Sequence, residues 1–250
     1  MAGKVKTTPR SGRKSRRKGT KMELVVQSRT APAGGGVIIR NPKQSPMVQT
    51  TNKGVMICNT EVFSITTSGT AGAFVLNAGA LIPGNATSFP WLSSIASGYA
   101  KWRWNRMRMI YIPATPTTTP GTITMAFSYD YTDAALTTVQ QAQVMYGSVT
   151  APVWAGWEGS SQLHSWGNDV NAVFTDLDCT RFGSGNADTW YRYITFARFT
   201  ALIDPDKNNY APAQILIVSN GGPAVGASYG YIFCHYEIEL IEPVSQTINQ

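Results

Sequence analysis

Charge constrains this chain most, because it is spread so unevenly. The first forty residues hold eleven Lys or Arg against one acid, Glu23, a formal +10; residues 41–250 hold ten against thirteen, a formal −3. A stretch that repels itself and carries few apolar groups cannot collapse into a core. The fold must therefore come from the remainder. The charge is densest in "RSGRKSRRKGTK", residues 10–21, where Arg10, Arg13, Lys14, Arg16, Arg17, Lys18 and Lys21 stand without an acid among them. Separating such an arm from a near-neutral body points to a polyanionic partner.

Three segments follow. Residues 1–29 read as a disordered basic arm. Residues 30–52 read as a linker, with three glycines for freedom, prolines for local stiffness, and a short β-prone cluster, Val37-Ile38-Ile39. Residues 53–250 read as one folded body, long enough to bury a substantial core. Its few charges suit a protein whose sides are covered by copies of itself.

The body's signals are β. Strands are expected at 54–68, 73–82, 103–113, 121–130, 148–154, 171–178, 190–198, 212–219 and 229–241, separated by turn strings such as "PTTTPG", "DPDKNN" and "SNGGP". In "RWNRMRMIYIP" the alternation slips around Asn105–Arg106, which predicts a bulge. Two helices are expected, at 88–102 with Ser88 as N-cap and at 135–147. About eight strands with small helical excursions predict an all-β, eight-stranded jelly-roll β-sandwich.

Little here is catalytic. There is no P-loop, dinucleotide fingerprint, HExxH or nucleophile elbow. Of the two histidines, His235 lies in a strand pattern and reads as structural, and His164 lacks a recognisable nucleophile. Cys58, Cys179 and Cys234 are odd in number and far apart, and read as reduced core thiols. No apolar run is long enough to cross a membrane, and no apolar region follows the basic one as in a signal peptide.

Two features carry chemistry. The basic arm can neutralise phosphates, releasing condensed counterions, and without aromatics it offers no stacking platform for bases. "RKSRRK" would also serve as a nuclear address, and the run suits an anionic membrane surface. In "SYDYTDAAL", Asp130 and Asp133 end the cleanest strand. Two anionic oxygens in one turn suit a hard cation such as calcium, although Asp133 could instead cap the second helix.

The chain resembles the coat proteins of sobemoviruses, small icosahedral plant RNA viruses. The resemblance rests on "VIIRNP" (37–42), "YIPATPTTTPGTITMAFSYDYTD" (111–133), "VWAGWEGSS" (153–161), "LDCTRFG" (177–183), "WYRY" (190–193) and "IEPVSQTIN" (241–249), in that order. It implies a jelly-roll subunit of a T=3 shell of about 180 copies that packages positive-sense single-stranded RNA. It further implies Ca2+ between subunits, held by Asp130 and Asp133 of one copy. The neighbour would add a main-chain carbonyl near Phe199, the Asn249 side chain and the terminal carboxylate of Gln250. Phe199 stands where such proteins often have Tyr, and Gln250 where Asn is familiar. The resemblance also implies that residues 31–42 order in some copies only. The expected location is the virion, with host cytoplasm, and nuclear entry through the arm, before assembly; no membrane partner is expected. The reading from a different class is an RNA-binding protein with a β-sandwich body that forms no shell.

Overall fold

The strand pattern resolves into two antiparallel sheets in the computed structural model, which describes residues 46–156, 173–181, 189–223 and 226–248. The first sheet runs β1 (Met47–Thr50), β2 (Gly54–Thr67), β10 (Ser228–Pro243), β4 (Tyr99–Pro113) and β7 (Val173–Asp176), with β8 (Tyr191–Arg192) also paired to β4. The second runs β3 (Val75–Ala80), β9 (Gln214–Asn220), β5 (Thr122–Ser128) and β6 (Val149–Pro152). Four strands of each sheet make the expected eight-stranded jelly roll; β1 and β8 extend the first sheet. β1 falls inside the segment read as linker.

The two inner faces meet in one core. Along β4, Trp102, Trp104, Met107, Met109 and Tyr111 point inward, as the period of two requires. The predicted slip is a bulge: Arg106 pairs with Glu237 and Trp104 with Ile238, which leaves Asn105 as the extra residue. Phe63, Phe89, Trp104 and Tyr236 form an aromatic cluster with ring centroids 5.4–5.8 Å apart, mostly edge-on. His235 is buried on β10 with Nδ1 2.8 Å from Thr60 Oγ1, a structural strand residue as expected.

The helices depart from expectation. α1 spans Pro90–Ala96 only, and its N-cap position is Phe89, not Ser88. Ser88 is turned toward Asn85 instead, with its Oγ accepting Asn85 Nδ2 at 3.2 Å. The cap arrives from another strand. Buried Glu61 on β2 accepts the N–H groups of Trp91 (2.8 Å) and Leu92 (3.3 Å), and also the Tyr236 hydroxyl (2.6 Å). A carboxylate at a helix N-terminus satisfies two orphan donors and meets the positive end of the peptide dipoles. Tyr99 and Trp102, inside the expected helix 88–102, belong to β4, where pairing with β10 outweighs the local pattern.

α2 spans Val139–Gln143 and is capped by Thr138 in a full capping box with Gln141. Asp133 is therefore not its cap. α2 covers the outward face of β5 and β9, so Thr124, Ala126, Leu216 and Val218 are buried on that side too. The expected strand 190–198 is only two residues long. The chain turns instead into α3 (Phe196–Thr200), favoured by burial of Phe199, and α4 (Asp204–Lys207), favoured by Pro205 in its first turn.

Candidate metal centre

β5 delivers its last residue, Ser128, buried at the rim of the second sheet, and the chain then turns. Ser128 Oγ lies 2.9 Å from the main-chain oxygen of Asp130 and 3.4 Å from Asp133 Oδ2. One hydroxyl thus draws both aspartates into the same turn. Asp130 Oδ1 accepts three hydrogen bonds: from the Thr132 N–H (2.8 Å), the Thr132 hydroxyl (2.8 Å) and Asn208 Nδ2 (2.7 Å). These hold its carboxyl below the ordinary range, the Thr132 N–H contributing most. Among the described residues no hydrogen bond falls on Asp130 Oδ2, and Asp133 is exposed, its hydrogen bond there coming from Ser128.

The loop is anchored from beneath. The Tyr131 hydroxyl donates to the Ala213 carbonyl at 2.9 Å, and the Tyr131 N–H donates to Asn208 Oδ1 at 2.9 Å. The Tyr131 ring packs edge-on against Phe199 of the same chain, centroids 5.4 Å apart. Phe199 itself is buried in α3, and its carbonyl accepts the Leu202 N–H at 3.2 Å. The Ala201 N–H is also directed at this carbonyl, so the end of α3 engages it from within the chain.

The donor set fits calcium. Carboxylate oxygens are hard ligands, and calcium takes 6–8 of them in loose geometry. Among the described residues no three His, Cys, Asp or Glu side chains gather to hold a metal, so the loop supplies two carboxylates and the other donors must come from outside it. Asn249 and Gln250 lie outside the described residues, as do His164 and the arm cations Arg10, Arg13, Lys14, Arg16, Arg17, Lys18 and Lys21.

Two features escaped the sequence reading. Asn208 had been part of a turn string, with nothing to connect it to a strand end 78 residues away. A second Asp-x-Thr turn follows β7. There Asp178 Oδ1 accepts the Thr180 N–H (3.0 Å) and hydroxyl (2.6 Å), and the Asp178 N–H reaches Tyr129 Oη at 2.9 Å. The repeated spacing was the signal that could have revealed it.

The outward face of the first sheet neutralises its own charge. Arg108 meets Asp176 through two bonds of 2.6 and 2.7 Å while stacking on Phe174; Arg103 meets Glu239 at 2.9 Å; Lys101 meets Glu242 at 2.6 Å.

Comparison with known proteins places the whole body. The viral coat protein (S domain) family matches residues 26–246. The capsid protein of Tobacco necrosis virus (strain D) is 40% identical over 220 residues, 88% of this chain and 79% of that protein. A solved structure of tobacco necrosis virus superposes with a TM-score of 0.79 at 36% identity, covering 89% of this chain and 97% of the other. The structure of Cocksfoot mottle virus superposes with a TM-score of 0.69 at 25% identity, covering 77% and 97%. The sobemovirus resemblance is thus borne out within a wider group of plant-virus coat proteins. The chain belongs to the viral coat protein (S domain) family, as a structural subunit of a virus shell and not an enzyme.

Proposed function

We propose that the chain self-assembles into a T=3 icosahedral shell of about 180 copies, packages positive-sense single-stranded RNA through residues 10–21, and uses Ca2+ to bridge neighbouring subunits. The observation that carries the RNA reading is the contrast in charge. Lys101, Arg103 and Arg108 on the outward face of the first sheet are paired with the body's own acids, whereas the first forty residues hold a formal +10 with one acid. Phosphates are the natural complement, and binding should weaken steeply with salt. The absence of aromatics in the run argues for backbone neutralisation without base readout. The same run would serve as a nuclear address in the unassembled subunit.

For calcium the support is the β5 loop. Asp130 Oδ2 takes no hydrogen bond from the described residues, and Asp133 is exposed. A neighbour would complete the shell of donors, with the carbonyl at Phe199 and the side chain of Asn249 as candidates, and main-chain or carboxylate oxygen at Gln250. The ion would offset repulsion between carboxylates that meet across the interface.

Electron microscopy of the expressed full chain tests the assembly reading: closed isometric particles are expected, and a monodisperse monomer or dimer would overturn it. Deletion of residues 1–29 should abolish RNA uptake, read as a loss of absorbance at 260 nm relative to 280 nm, while the circular dichroism of the β body is kept. Normal RNA content after deletion would move the binding site into the body.

A further inference from the structure

We propose that Asn208 is a positioning residue for the bridging cation, acting through Asp130; this rests on the calcium reading above. Asn208 closes α4 as its C-cap, so its backbone is fixed by the helix end. Its side-chain amide then spends both polar atoms on the β5 loop: Nδ2 donates to Asp130 Oδ1 at 2.7 Å, and Oδ1 accepts the Tyr131 N–H at 2.9 Å. The amide thus grips the carboxylate and the next peptide unit together. A free carboxylate turns about its last torsion, which is broad and nearly two-fold. With Oδ1 held by Asn208 and Thr132, the carboxylate has one orientation, and Oδ2 is the oxygen with no hydrogen bond from the described residues.

Thr132 alone would make the local turn, since both its bonds to Asp130 come from two residues away. Asn208 adds what a local turn cannot, a tie to the α3–α4 segment that also carries Phe199. Tyr131, gripped by Asn208 at its N–H, packs its ring on Phe199. One side chain therefore sets the carboxylate offered to one neighbour and braces the segment whose carbonyl is offered to the other. Partners of metal ligands in this role hold ligand orientation and typically contribute 10–100-fold to metal affinity.

The test is a calcium titration of chelator-stripped shells by isothermal calorimetry, for the parent, Asn208→Ala, Asp130→Asn and the double variant. Asn208→Ala is expected to weaken calcium binding about tenfold. The double variant is expected to bind no more weakly than Asp130→Asn alone, because Asn208 acts through that carboxylate. A purely structural role would give additive losses. Parental affinity in Asn208→Ala, or additive losses in the double, would overturn the assignment. Parent shells that take up no calcium, or Asp130→Asn shells that bind like the parent, would overturn the calcium reading itself and this inference with it. If Asn208→Ala does not assemble, Asn208→Leu, similar in volume, is measured in the same way. Failure of both to assemble even in excess calcium would make the residue structural and reject the proposal.

Discussion

The turns after β5 and β7 are built alike and finished differently. In each, an aspartate accepts the N–H and hydroxyl of a threonine two residues on. Asp178 then finds its own cation, with Arg181 Nε 3.5 Å away and the guanidinium lying 3.7 Å over the Tyr146 ring. Asp130 finds a neutral amide, Asn208, and Asp133 beside it has no cation among the described residues. The local motif makes an ordered carboxylate; the partner decides what the carboxylate is for. Where the chain provides an arginine the charge is closed within the subunit. Where it provides an amide, the carboxylate is oriented and no cation among the described residues pairs with it.

The largest effect should come from removing the open charge. Shells of the variant Asp130→Asn with Asp133→Asn are expected to lose their response to chelator at neutral pH, whereas Asp178→Asn shells keep it; sedimentation before and after chelation reads both. Swelling of the double variant on chelation just as in the parent would erase the proposed distinction between the turns.

A smaller effect concerns acid. The Thr180 hydroxyl is the main cause that holds the Asp178 carboxyl below its ordinary value. A depressed folded-state pKa contributes stability above the unfolded value, about 3.9, and that stability is lost as pH falls through the folded value. Thr180→Val should therefore raise the Asp178 midpoint and flatten the acid limb of the stability profile. Carboxyl 13C resonances followed through an acid titration of the full chain check the direction; an unchanged or lower midpoint would contradict it.

The smallest effect is at Arg181. Its contact with Asp178 is long and partly exposed, and its stacking on Tyr146 is at the surface. Arg181→Ala should cost about 0.5–1 kcal/mol in urea unfolding. A loss several times larger would mean the cation closes more than its own turn.

How much of this was legible follows from the distance over which each feature is encoded. The bulge at Asn105 was visible because a break in a period-two pattern is local. The pairing of Asp130 with Asp133 in one turn was visible for the same reason. The true cap of α1 was not, because Glu61 reads as a polar interruption in β2 and its helix lies 30 residues further on. α3 was hidden because "WYRYITFARF" is rich in aromatic and β-branched residues, while burial of Phe199 decides the outcome. Asn208 was hidden most completely. Its tie to Asp130 has no periodicity and no motif, only a fold that brings a helix end to a strand end.

Glu61 also bears on the order in which the chain can be finished. Its partners lie 30 and 175 residues away, on a helix made early and on the last strand. A buried carboxylate is costly until its hydrogen bonds are complete. While β10 is still within the ribosome, Glu61 can reach α1 but not Tyr236, and the sheet that would bury it lacks the strand between β2 and β4. Contacts of such long sequence separation form late. Arrival of β10 therefore does two things at once: it closes the sheet between β2 and β4 and brings the hydroxyl that completes the Glu61 carboxylate.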